Sequence, residues 1–141
     1  MDYIKMNLPA LNRFATDYMN GKLKKGDFFQ YDWRMESDVA KRAEWLDSKS
    51  FPREEAASYI ESYMERFGIS ERSKMNIDAL RKDALVVIGG QQAGLLTGPL
   101  YSIHKVISII KLAKEQSAKL KKTVIPVFWI AGEDHDYNEV N

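Results

Sequence analysis

Three groups of residues in the second half of the chain are of types that do chemistry. The first is Gly89-Gly90-Gln91-Gln92-Ala93-Gly94-Leu95-Leu96-Thr97-Gly98-Pro99. Its four glycines permit positive φ and close approach of a ligand to the backbone. A helix beginning after it would offer unpaired amides and a positive dipole end to an anion. Gln91, Gln92 and Thr97 add neutral hydrogen-bonding groups. The spacing lacks the Gly-Lys-Ser/Thr ending of a Walker loop and does not meet Gly-x-Gly-x-x-Gly. Binding of a phosphate or carboxylate and a plain chain-reversing turn both fit. The second group is Tyr101, His104 and Lys105. A histidine there is suited to donating to a phosphate, and Lys105 adds positive charge; a solvated helix face is the plainer reading of both. The third is Glu133-Asp134-His135-Asp136. These side chains are suited to Mg²⁺, to an ammonium group or to general-base work. An acidic loop opening a helix is the alternative. Adjacent residues cannot all point at one ion, so no metal centre is assigned.

The elements that must position these groups follow from local pattern. Ala84 to Ile88 is a continuous apolar run rich in valine and isoleucine, as expected for a strand buried on both faces. Thr123 to Ile130 is a second strand. Pro126 removes one backbone donor from it, which points to an edge position or a local irregularity. Pro99 to about Lys121 has ample length for a helix, with Pro99 suited to the first helical position. Ile103, Val106, Ile107, Ile110 and Ala113 form the face expected to pack on the sheet. Tyr101, His104, Lys105, Ser108, Lys111 and Glu115 form the opposite face. The right-handed crossover rule makes the two strands parallel. The glycine segment and the Glu133 to Asp136 segment then follow the carboxyl ends of neighbouring strands, where α/β sheets bind ligands.

Residues 1–83 read as a mainly helical N-terminal arm and residues 84–141 as the βαβ unit. A first helix is expected from Leu8-Pro9-Ala10-Leu11 to near Gly21. Lys22-Leu23-Lys24-Lys25-Gly26 reads as a solvated basic turn, and Phe28, Phe29, Tyr31 and Trp33 as a packing cluster. Met35 to Leu46 is a second helix. Arg53 to Phe67 is the clearest in this half, with Pro52 suited to its first turn. Ala56, Tyr59, Ile60, Tyr63, Met64 and Phe67 form an apolar stripe expected to be core. Gly68 suits the left-handed position beyond it. Ser70 caps a further helix to about Lys82. Ser73-Lys74-Met75-Asn76 is similar to the lysine-methionine-serine loop of class I synthetases, but it precedes the first strand inside a helical pattern and is given no function.

Composition bounds the rest. The chain has 141 residues, 45% of them hydrophobic, and 21 basic residues against 20 acidic ones, for a net charge of +1. That balance gives no case for bulk attraction to nucleic acid or a membrane surface. No run approaches the length of a membrane helix, and the N-terminus lacks the pattern of a secretory signal. Without cysteine there is no disulfide, thiolate nucleophile or cysteine zinc site. A cytoplasmic protein is the expectation.

Two stretches together resemble a known family. Gly90-Gln91-Gln92-Ala93-Gly94-Leu95-Leu96-Thr97-Gly98-Pro99-Leu100-Tyr101, with Lys105, is similar to its first signature. Val127-Phe128-Trp129-Ile130-Ala131-Gly132-Glu133-Asp134-His135-Asp136 is similar to its second. The family is the bacillithiol biosynthesis cysteine-adding enzymes, BshC. The tandem is far more specific than either stretch alone. The resemblance implies an α/β, Rossmann-like fold similar to class I synthetases, of which this chain would be an incomplete N-terminal piece. It implies a ligase-like, carbon–nitrogen bond-forming addition of cysteine to glucosaminyl malate. ATP, with Mg²⁺ beside it, is a cofactor the resemblance suggests without fixing. Ser102-Ile103-His104-Lys105 occupies the neighbourhood of the synthetases' His-Ile-Gly-His signature and departs from it at three positions.

The resemblance therefore nominates His104, Lys105, Asp134 and His135 for catalysis. It nominates Gly90, Gln91, Gln92, Gly94, Thr97, Gly98, Tyr101, Trp129, Glu133 and Asp136 for substrate binding. Small molecules are the expected partners, with no nucleic acid and no membrane; homo-oligomerisation stays open. A synthetase-like or nucleotidyl-transferring enzyme with another substrate, or a nucleotide-binding module without chemistry, are the alternatives.

Overall fold

The computed structural model describes residues 12–23, 26, 28–94 and 98–132. Its elements run α1 (Arg13–Met19), α2 (Glu36–Asp47), α3 (Arg53–Glu65), α4 (Glu71–Lys82), β1 (Leu85–Gln92), α5 (Leu100–Leu120) and β2 (Val124–Ala131). They fall into two compact units, Met1–Glu44 and Trp45–Asn141. The packing break thus comes well before residue 84, where the composition changes, because α3 and α4 belong with the sheet.

In the first unit the start of α1 is set by Asn12, whose side chain accepts a hydrogen bond from the Ala15 amide at 2.7 Å. This cap places the helix start at Arg13, later than the apolar pattern suggested; Leu8 to Leu11 lie outside the described residues. Phe14 meets Phe28 edge-on at 5.4 Å and Tyr18 meets Phe29 at 4.8 Å, so Phe28 and Phe29 of the expected cluster pack on α1, whereas Trp33 is exposed. Asp38, 1% exposed, accepts from the Asp32 amide. Asp32 in turn holds the Arg34 guanidinium through Nε and Nη2. That hydrogen bond keeps the Arg34 pKa above its ordinary value.

In the second unit, Ser70 caps α4 as expected, accepting from the Ser73 amide, and Gly68 takes a positive φ of 85°. The core stripe expected on α3 is corrected. Tyr59 and Phe67 are each 73% exposed and Tyr63 is 49% exposed, while Ala57 is fully buried. The reason is what α3 packs against. Ala57 lets α4 approach closely, and Arg81 of α4 reaches across to Glu54 and Glu61. Its hydrogen bond to Glu61 is the main cause of a raised Arg81 pKa. Arg53 also donates from Nη1 to the carbonyls of Leu80 and Ala84, closing the end of α4 where the chain enters the sheet. The face carrying Arg53, Ala57 and Glu61 is thereby turned inward and the aromatic stripe outward.

β1 and β2 are parallel and in register from Leu85 opposite Val124 to Gln92 opposite Ala131. Two expectations change here. First, β1 continues through Gly89, Gly90, Gln91 and Gln92, so the first four residues of the expected glycine loop are strand. Gly89 has no side chain because Ile109 of α5 fills the space its Cβ would take. Second, the strands are not buried on both faces: Ile88 is 70% and Trp129 60% exposed. The ladder's phase also explains Pro126. The Leu85 amide donates to Thr123 and the Ala93 amide to Ala131. Odd-numbered residues of both strands therefore carry the shared bonds. Pro126 is even-numbered, its nitrogen faces away from β1, and no ladder bond is lost.

Helix α5 begins one residue later than expected. Pro99, with ψ of 153°, is its cap and not its first helical residue. Its sheet-facing stripe is also rotated from the one expected. Ser102 and Ala113 are buried, with Val106, Ile109 and Ser117 half-buried, whereas Ile103, Ile107 and Ile110 are 43–55% exposed. Small side chains let the helix approach the sheet, and the bulky isoleucines are left on its flank.

Candidate functional site

The carboxyl end of β1 and the first two turns of α5 bring four of the expected residues, Gln91, Gln92, Tyr101 and Lys105, into one network. In a parallel pair, residues opposite one another share a face. Gln91 lies on the same face as Gly89, the one α5 covers. Tyr101 and Lys105 are one turn apart on α5 and reach it. Lys105 Nζ donates to Gln91 Oε1 at 2.5 Å. Gln91 Nε2 donates to Tyr101 Oη at 3.2 Å and to Gln92 Oε1 at 2.9 Å. The ammonium also sits 5.0 Å from the Tyr101 ring centroid, where a cation is attracted to the ring face. Among the described residues no carboxylate pairs with Lys105. Its positive charge is held in place by neutral groups.

Gly94 and Gly98 serve the backbone beside this network. Gly98 has a φ of 71°, in the left-handed region that glycine occupies without strain. A Cβ on Gly94 would lie 2.6 Å from the Gly98 Cα, so the two backbones touch. Beneath them sits Ser102, 7% exposed, whose Oγ has no hydrogen-bond partner among the described residues. Sequence reading passed over Ser102 as a site residue. The only signal was a small polar side chain on the buried stripe of an otherwise apolar helix face.

His104 and Trp129 lie outside this network. The His104 side chain is exposed and has no hydrogen bond or ion pair among the described residues; its carbonyl accepts from Ser108 Oγ. Trp129 pairs with Gly90 on the face of the sheet opposite to α5. A Cβ on Gly90 would come within 2.9 Å of the Trp129 carbonyl oxygen. Thr97, Glu133, Asp134, His135 and Asp136 lie outside the described residues. Among the described residues no three His, Asp or Glu side chains converge to hold a metal ion. No helix among them is long and apolar enough to cross a membrane.

A parallel βαβ unit with polar groups gathered at the carboxyl end of its strands defines a Rossmann-like domain, a class that binds its ligands at that end of the sheet. The comparison with known proteins narrows that class. The family described as "Bacillithiol biosynthesis BshC, N-terminal Rossmann-like domain" matches residues 1–141. The chain belongs to this family. A Geobacillus sp. (strain WCH70) protein named "Putative cysteine ligase BshC" is 47% identical over 142 residues, covering 100% of this chain and 26% of its own length. A protein of the same name from Lysinibacillus sphaericus (strain C3-41) is 45% identical over 136 residues, 96% of this chain and 25% of its own length. The chain thus spans about a quarter of the length of the curated relatives it matches.

Proposed function

We propose that this domain is part of an enzyme that joins cysteine to glucosaminyl malate to make bacillithiol, in the bacterial cytoplasm. The observation that carries the proposal is the family match along the whole chain to proteins named as cysteine ligases. The network of Gln91, Tyr101 and Lys105 supports it from the side of chemistry. Both substrates carry carboxylate groups, and the exposed end of this network offers a positive charge. Joining an amine to a carboxylate requires that one carboxylate oxygen become a leaving group. ATP is the co-substrate that general chemistry and the resemblance favour for that step.

In this reading Tyr101 and Lys105 contact substrate, and Gln91 is bonded to both at the edge of the site. His104 is a candidate for proton transfer from the same helix, and Asp134 and His135 complete the catalytic set. Gly90, Gly94 and Gly98 keep the backbone low around the ligand. The test uses the full-length protein, supplied with glucosaminyl malate, cysteine and ATP and assayed for bacillithiol by mass spectrometry with phosphate and pyrophosphate followed in parallel. A deletion strain should lose bacillithiol and regain it with the full gene; unchanged bacillithiol in that strain would sink the proposal. Full-length variants His104→Ala, Lys105→Ala and Asp134→Ala should fold and lose turnover. Folded, fully active variants would return these residues to a solvated surface role.

A further inference from the structure

We propose that Tyr101 and Lys105 form a donor-only cradle for an oxyanion, a carboxylate or a phosphate group, and that Gln91 is the positioning residue that fixes its polarity. The inference rests on the reading of this edge as the substrate site and assigns roles within it. It follows from the direction of each hydrogen bond. Lysine has three donors and no acceptor, so the Gln91 atom it contacts must be the amide oxygen. The amide orientation is thereby fixed, and Nε2 faces Gln92 and Tyr101. Both hydrogens of Nε2 are then spent, one on each partner.

The consequence falls on the tyrosine. Its oxygen accepts from Gln91, so its own hydrogen must point away from the network. Lys105 keeps two further hydrogens once one goes to Gln91. The free side of the pair therefore presents donors alone, on two side chains that are both solvent-exposed. An oxyanion with two oxygens satisfies such a pair; a neutral ligand that also needs to donate does not. Charge-assisted hydrogen bonds of this kind are about twice as strong as neutral ones.

The decisive substitution is Gln91→Glu, which keeps the size and reverses the polarity. A carboxylate at position 91 accepts from Lys105 with one oxygen and from the Tyr101 hydroxyl with the other. It neutralises the lysine and turns the phenolic hydrogen inward. Binding of L-malate and of inorganic phosphate to the full-length protein, measured by calorimetry, reads the effect. Tyr101→Phe and Lys105→Met should each weaken the bound probe about tenfold, the scale of one good hydrogen bond. Q91E should weaken it at least as much. Adding Tyr101→Phe to Q91E should then change little, because that hydrogen is already withdrawn. Gln91→Met, of similar length and uncharged, should bind more tightly than Q91E.

Loss confined to malate assigns the cradle to a substrate carboxylate, and loss confined to phosphate assigns it to a phosphoryl group. Wild-type binding of both probes by Q91E would overturn the proposal. So would a full additional tenfold loss from Tyr101→Phe in that background, or equal binding by Gln91→Met and Q91E. Binding is read without turnover, so bacillithiol synthesis by a protein that fails these tests removes the cradle and leaves the enzyme assignment standing.

Discussion

Ser117→Ala should open the outer edge of β2, and its cost can be worked from two hydrogen bonds. The ladder leaves the Val124 N–H and C=O facing away from β1. Ser117 Oγ accepts from that amide at 2.9 Å and donates to that carbonyl at 3.2 Å, so one hydroxyl satisfies both groups. Val124 is 8% exposed, and water replaces the hydroxyl only in part. Each bond is worth roughly 1 kcal/mol net, with a further penalty for a buried group left unpaired. Alanine returns about 0.5 kcal/mol through its higher helix propensity. The expected loss is about 2 kcal/mol, or roughly 30-fold in the local opening equilibrium. Hydrogen–deuterium exchange of the peptide carrying Val124, in the full-length protein, reads this directly. Ser108→Ala is the control, because its hydroxyl only back-bonds to the exposed His104 carbonyl; it should stay within about 0.5 kcal/mol. Unchanged protection at Val124 in Ser117→Ala would refute the assignment of the outer-edge bonds and the phase of the ladder with it.

Two further substitutions test the joints around the site. Gly90→Ala sets a methyl group against the Trp129 carbonyl, a backbone atom that cannot rotate away. The strands must part, at about 1–3 kcal/mol, seen as a lower melting temperature; a melting point equal to the wild type would show that no close approach exists there. Arg53→Met keeps the aliphatic stem and removes the donor shared by the Leu80 and Ala84 carbonyls. It should destabilise by about 1.5–3 kcal/mol, the range for a charged donor, with faster exchange around residues 80–85. A neutral outcome in urea unfolding would mean that water replaces the guanidinium fully.

The order of elements was readable because each boundary has a local chemical cause. Ser70 and Gly68 are the residues a helix start and a helix end select, and both act so in the structure. The strand–helix–strand order points to the parallel pair, because a helix-length crossover returns the chain to the end of the sheet where the first strand began. Helix faces were read less well. On α3 and α5 the expected stripes hold at Ala113, which is buried, but their heaviest apolar residues stay exposed while Ala57 and Ser102, outside those stripes, are buried. Periodicity finds the apolar sector of a helix but does not rank positions within it. Close packing of two backbones favours the small residues and pushes tyrosine and isoleucine to the flanks. At the site, Gln91, Tyr101 and Lys105 were named, but their mutual bonds depend on the rotation of α5 over the sheet. That rotation is set by Ile109 filling the space above Gly89, a contact no spacing rule reveals.

The extension of β1 through Gly89 to Gln92 changes what kind of anion site this edge can be. A glycine-rich loop would bind through several backbone amides at once. In a strand, the amides of odd-numbered residues are committed to β2. Those of Gly90 and Gln92 point away from β2, in the plane of the sheet and away from Tyr101 and Lys105. Recognition on the α5 face therefore falls to side chains, and the glycines act by what they leave out. Gly89 admits Ile109, which seats the helix at the angle that brings Tyr101 and Lys105 over Gln91. The selectivity of the site then depends on the direction of three hydrogen bonds among side chains, which a single isosteric change at Gln91 can reverse.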